Sequence, residues 1–210
     1  MKTTRFLNLF CAAFLGITGQ IYALESNLNV ISQAEVNAWQ AYYQKDLSSL
    51  NSNINKIFEL QFGLSVAQAQ EVTGYYAKAA VLFAALPHST TNSDYQKLVL
   101  PSLVKAYATL NSFFHLKDYE DAAKYDLQWW IDRRSPATNN PTIVGQSMAK
   151  MYAAMYSNVN ESDLERAAYL RAVAAQYRDL SQEKWGGITT QDWAVVEHML
   201  RRSYLILLGK

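Results

Sequence analysis

Residues 32 to 63 read SQAEVNAWQAYYQKDLSSLNSNINKIFELQFG, and their spacing decides the fold class. Val36, Tyr43, Leu50 and Ile57 recur every seven residues, joined by Trp39, Leu47, Ile54 and Leu60. Apolar residues at that interval trace one stripe along a helix or a helix pair, here ending at Gly63. Ser32 and Glu35 ahead of the stripe match a capping box, in which the serine oxygen accepts from an early helix N–H and the glutamate reaches back. The same Ser-x-x-Glu/Gln pattern returns at Ser65/Gln68, Ser93/Gln96 and Ser162/Glu165, so it predicts four helix starts.

Outward from that stretch the helical pattern continues. Helices are predicted over 66–86, 94–115, 118–134, 142–156, 163–183 and 190–208, with Pro101 in an early turn or at a kink. No sustained period-two alternation and no Asn-Gly or Asp-Gly hairpin turn argues for strands. The longest linker, Arg134 to Thr142 with Pro136, Asn139, Asn140 and Pro141, is too short to separate domains. The fold class is therefore all-α, a single-domain multi-helix bundle or α-hairpin array of about seven helices.

The pairs Ala79-Ala80, Ala122-Ala123 and Ala167-Ala168 recur along the chain. Adjacent small residues let helices approach closely, as in a repeated hairpin or a tight bundle. The stretch from Phe113 to Ala123, with Pro136 and Asn139 downstream, resembles the turn and second helix of a tetratricopeptide repeat. It does so once, over about 30 residues, and departs from the family at Leu110, at Trp129 and in its repeat spacing. The resemblance implies a shared hairpin geometry.

The chain starts Met1-Lys2-Thr3-Thr4-Arg5, followed by an apolar run from Phe6 to Ile17 and a small residue at Ala23. That is the pattern of a secretion signal, so residues 1–23 are expected to be cleaved from a helical domain at 24–210. A membrane-spanning helix needs roughly 20 apolar residues, more than this run supplies. The expected location is the periplasm or the extracellular space, with no stable membrane span after cleavage. Cys11, the single cysteine, would leave with the signal, and disulfides, thiol catalysis and thiolate metal sites would leave with it.

Cleavage removes Lys2 and Arg5, leaving 17 basic against 18 acidic residues. With no run of like charge, duplex nucleic acid and anionic membranes are disfavoured as partners, since both need clustered Lys and Arg.

No nucleophile elbow, zinc-binding helix motif, phosphate-cradling glycine loop or calcium loop is present. His88, His115 and His198 stand on separate segments without a second ligand at helical spacing, so no metal and no cofactor is expected. The most unusual segment is Tyr125-Asp126-Leu127-Gln128-Trp129-Trp130-Ile131-Asp132-Arg133-Arg134. On a helix Trp129 lies one turn before Arg133, and Trp130 one turn before Arg134, so each guanidinium can lie over an indole face. Two readings fit. The arginines can supply a planar fork for an anion or carbohydrate with tryptophan as the stacking wall. Alternatively Trp130, Ile131, Leu127, Ala122 and Ala123 form core, while the arginines meet the negative helix end.

On the last helix Glu197 shares the apolar face of Trp193, Val196, Leu200 and Tyr204, with Arg201 one turn on as its expected ion-pair partner. Lys184 to Trp193 reads as a helix end, a Gly186-Gly187 turn and a cap at Thr189 or Thr190.

These features favour an exported, non-enzymatic binding or adaptor module whose aromatic-rich groove takes a protein, a peptide or a small molecule. The candidate ligand residues are Asp126, Trp129, Trp130, Arg133, Arg134, Glu197 and Arg201. An exported enzyme would instead need Asp126, Arg133, Arg134 and Glu197 to face one pocket. A structural subunit of an envelope assembly would leave the apolar tail from Leu205 to Leu208 uncovered.

Overall fold

The computed structural model describes the backbone of residues 5–184 and 187–209, and the side chains of 25–183 and 187–209. The expected signal segment, residues 1–23 with Cys11, and the Trp185-Gly186 half of the glycine turn lie outside the described side chains. Among the described residues the chain is all-helical, with nine helices and no strand. They are α1 (Arg5–Gln44), α2 (Leu47–Phe62), α3 (Val66–Ala85), α4 (Asn92–Leu98), α5 (Leu100–Phe113), α6 (Tyr119–Arg134), α7 (Pro141–Met155), α8 (Glu161–Lys184) and α9 (Thr190–Leu208). None of the described helices is long and apolar enough to cross a membrane.

Local chemistry explains where the helices begin and stop. Ser65 and Gln68 form the expected capping box of α3, and Thr189 with Asp192 forms the one that opens α9. Asp118 accepts from the N–H groups of Glu120 and Asp121 at the start of α6, and Asn140 accepts from Ile143 with Pro141 in the first turn of α7. Gly63 closes α2 in the left-handed region at φ 66°, where a side chain would strain.

Four expectations are corrected. Ser32 does not start a helix: it lies inside α1, and its hydroxyl donates to the Asn29 carbonyl, because Leu28 and Ile31 upstream are themselves buried helical residues. The boxes at Ser93/Gln96 and Ser162/Glu165 sit two residues late. Thr91 caps α4 by accepting from Asp94, and Asn160 accepts from Asp163 at the start of α8. The stripe beginning at Val36 runs over a helix pair closed by Gly63, as one of its two readings had it, but it is not continuous. Lys45 (φ 60°) and the Asp46 cap break it between α1 and α2, which leaves Tyr43 and Leu47 exposed and resets the buried face of α2 to Leu50, Ile54, Phe58 and Phe62. The predicted 94–115 helix divides at Val99 into α4 and α5, since Pro101 has no N–H to continue the hydrogen-bond ladder.

The helices form a closed ring. Reading around it, α1 packs on α2, α2 on α3, α3 on α5, α5 on α6, α6 on α7, α7 on α8 and α8 on α9, which returns to α1; α4 braces α5 and α6. The alanine pairs supply the close approaches, with all six residues buried. On α7, a Cβ added at Gly145 would stand 3.4 Å from the Tyr169 backbone of α8, so the two helices nearly touch there. At the closing seam Val196 and Leu200 of α9 pack with Val36 and Ala174, while Tyr204 packs with Leu28 and Ile31. The α5–α6 hairpin that carries the repeat-like segment is thus one link of the ring. Of the C-terminal tail, Leu207 is buried, Ile206 and Leu208 pack against the core, and Leu205 alone is exposed.

Candidate functional site

The ring encloses a cavity of about 720 Å³, within the usual range for small-molecule sites. Its walls are mostly apolar and aromatic, drawn from Leu50, Ile54, Phe58 and Phe62 of α2, Phe83 of α3, Trp130 of α6 and Met151 and Met155 of α7. The lining grades from fully buried residues such as Asp126, Glu35 and Tyr152 at the floor to the exposed Tyr43, His88, Pro136 and Glu183 at the mouth. The mouth lies where α1, α3, α6 and α8 end, at Tyr43, Phe83, Arg133 and Arg134, and Asp179.

Two polar clusters form the floor. In the first, Glu35 is 1% exposed, is ion-paired with Arg171 of α8 and accepts from the Tyr204 hydroxyl at 2.6 Å. Burial pushes its carboxyl up, against the opposing pull of Arg171 and Tyr204. In the second, Asp126, likewise 1% exposed, accepts from the Tyr107 hydroxyl at 2.9 Å and from the Trp129 indole N–H at 2.7 Å. Burial raises its carboxyl to about 6 despite these donors. The same burial, together with Asp126 itself, pushes the Tyr76 and Tyr107 hydroxyls far upward.

At the mouth Arg133 holds Asp179 through two hydrogen bonds, Nε at 3.0 Å and an outer nitrogen at 2.7 Å, and also donates to the Tyr43 hydroxyl. Burial disfavours the Asp179 charge, yet Arg133 outweighs it and holds the carboxyl below its usual range. Arg178 stacks on the Tyr43 ring at 3.3 Å and donates to Asp179 at 3.0 Å. Arg134 lies over the Phe83 ring at 3.8 Å, and one of its nitrogens donates to the Phe83 and Leu86 carbonyls and to the Tyr95 hydroxyl. Among the described residues it has no carboxylate partner.

The structure brings together five of the seven residues singled out from the sequence: Asp126, Trp129, Trp130, Arg133 and Arg134 all line the cavity. It does not bring the other two. Glu197 faces a separate, open depression of about 420 Å³ beside Asn29, Asn37 and Asn53. Arg201 is on the outer side of the α1–α9 seam, where it pairs with Glu25 and Asn29 instead of with Glu197, because α1 runs alongside its end of α9. The four-residue pocket needed by the enzyme reading is therefore not formed as drawn. The expected stacking of Arg133 on Trp129 and Arg134 on Trp130 is replaced as well. Trp129 turns inward to Asp126, Trp130 sets its edge against Tyr76 and Phe83, and the arginines lie over Trp39, Tyr43 and Phe83 of other helices.

Sequence reasoning missed Arg171, Glu35 and Arg178 as site residues. The legible signal for Arg171 is a lone arginine among Ala167, Ala168, Ala172, Ala174 and Ala175, since a cation on an apolar face calls for a buried carboxylate. The three histidines are exposed and on separate elements, and no cluster able to hold a metal ion occurs among the described residues. No family model matches the chain, and no curated protein or solved structure matches it.

Proposed function

We propose that this chain is an exported, non-enzymatic binding protein that takes a small molecule in the cavity at the centre of its helical ring. One observation carries the reading. A 720 Å³ space walled by apolar and aromatic side chains, with a few fixed polar groups at floor and mouth, is the usual composition of a ligand site. A protein that needed only a stable ring would fill that volume, because a void forfeits packing contacts. The aromatic wall lies inside the ring, which favours a small molecule over a protein or peptide partner, and the repeat-like α5–α6 hairpin serves as a wall of that site. Asp126 favours binding over acid–base work, since both its oxygens are already engaged by Tyr107 and Trp129. Export rests on the basic start and short apolar run of residues 1–23.

The test is a thermal-shift screen of the secreted protein against small acids, amines, alcohols and short peptides, with Met151→Trp as the variant that fills the cavity. At least one class should raise the melting temperature of the parent chain and leave the variant unmoved. If every class leaves the parent chain unmoved, the reading fails. N-terminal sequencing of the secreted form should begin at Leu24; a secreted form that still begins at Met1 would overturn the cleavage.

A further inference from the structure

Which ligand chemistry the cavity selects follows from what its polar atoms leave unused, resting on the reading of the cavity as a ligand site. The carboxylates are engaged. Both oxygens of Asp126 receive protein donors, Glu35 receives Tyr204 on one oxygen and is ion-paired with Arg171 through the other, which makes no well-formed hydrogen bond, and Asp179 receives Arg133 and Arg178. Some donors are not. Among the described residues the Nε–H groups of Arg178 at the mouth and of Arg171 at the floor are buried without a hydrogen-bond partner, and the Tyr152 hydroxyl, at the floor with Arg171, makes no well-formed hydrogen bond. A buried donor without a partner is costly, so the Arg178 group calls for an acceptor brought to the mouth from outside.

Charge separates the two ends. At the floor Arg171 faces two carboxyls, Glu35 and Asp126, so no net positive charge is available there. The mouth carries three guanidinium groups, of which Arg133 and Arg178 hold the partly buried carboxylate Asp179 and Arg134 pairs with no carboxylate among the described residues, with Glu183 exposed at the rim. The C-terminal helix ends at the mouth carry partial negative charge, but Arg134 meets those of α3 with one nitrogen only. Between the two ends runs the α2 face from Leu50 to Phe62, about 18 Å along the helix axis.

We propose that the cavity binds an amphipathic anion, with its carboxylate or phosphate held at the mouth by Arg133, Arg134 and Arg178 and its apolar chain lying along α2 towards Met151 and Met155. Guanidinium groups match both oxyanions: Arg178 offers its unpartnered Nε–H, Arg133, whose fork holds Asp179, adds charge, and Tyr43 and Phe83 keep Arg178 and Arg134 in place.

The experiment is calorimetric titration of the protein with dodecanoate, dodecyl phosphate, dodecanol and dodecylamine, each below its aggregation limit. The acid and the phosphate should bind at least tenfold more tightly than the alcohol and the amine. Arg178→Gln should cut acid and phosphate affinity about tenfold and leave the alcohol unchanged; Arg134→Gln, which removes a second mouth cation, should do the same. Met151→Trp should abolish binding of all four. If alcohol or amine binds as tightly as the acid and Met151→Trp abolishes both, the cavity is a ligand site and the anion inference is overturned. Acid binding that survives Met151→Trp lies outside the cavity and overturns it too. If none of the four binds while another class passes the thermal-shift screen, the anion inference alone falls; if none binds and the screen is also empty, both fall.

Discussion

Tyr204 donates a 2.6 Å hydrogen bond to Glu35 across 169 residues of chain, from the last helix of the ring to the first. Glu35 is buried and carries Arg171 on its other side, so the bond joins α1, α8 and α9 at one point. Hydrogen bonds to charged groups contribute about 1.5–3 kcal/mol, and a buried carboxylate deprived of a donor is costly. Tyr204→Phe should therefore lower stability by about 2 kcal/mol and the melting temperature by roughly 4–8 °C. A variant that melts with the parent chain would show that the bond contributes nothing to closure.

Asp126 predicts a pH dependence of stability with a definite sign. Its carboxyl ordinarily titrates at 3.8 and is raised to about 6 by burial. Between those values the folded protein keeps a proton that the unfolded chain has lost, so this contribution is full below the lower value and disappears as pH rises through the upper one. From about pH 4 to about pH 7 the parent chain should lose roughly 2 kcal/mol relative to Asp126→Asn, which has no proton to lose. Denaturant midpoints of the two proteins across that range supply the measurement. A difference between them that stays constant with pH would mean that Asp126 is ionised throughout.

Asp179 separates folding from binding. Asp179→Asn should weaken the Arg133 clamp and cost about 1–2 kcal/mol, between the values for exposed and fully buried ion pairs. The same change leaves the mouth more positive and should tighten dodecanoate binding by several-fold. Loss of stability together with weaker acid binding would contradict the anion inference.

The cap at Asp118 offers a test of local helix chemistry away from the cavity. Its carboxylate accepts from two N–H groups of the first turn of α6, and Asp118→Ala should cost about 0.5–2 kcal/mol in chemical denaturation. Binding of cavity ligands should be unchanged.

Much of the fold was legible along the chain because helix ends are decided by nearby residues. The bounds predicted for α3, α6, α7, α8 and α9 fall within two residues of those observed. Errors arose where the deciding partner lay further off. The Ser32 pattern misled because the residues before it are themselves helical, and the heptad spacing crossed the Lys45–Asp46 break without betraying it. The site was half legible for the same reason. Trp129, Trp130 and the two arginines stood out by composition, and Trp129 finds Asp126 one helical turn back, but Tyr43, Trp39 and Asp179 around Arg133 and Phe83 against Arg134 and Trp130 lie 46 to 94 residues away in sequence, where no helical spacing points to them. The Glu197–Arg201 pair failed because α1 supplies competing acceptors that only the closed ring brings near.

Closure of the ring by α9 on α1 also governs how the molecule comes apart. In an open helical array the outermost units have one neighbour and loosen first, so stability decays towards the ends. Here α1 and α9 each have neighbours on both sides. Backbone amides around Val36 and Leu200 should exchange with solvent as slowly as those around Leu110 and Leu127, through a single global opening with no gradient along the chain.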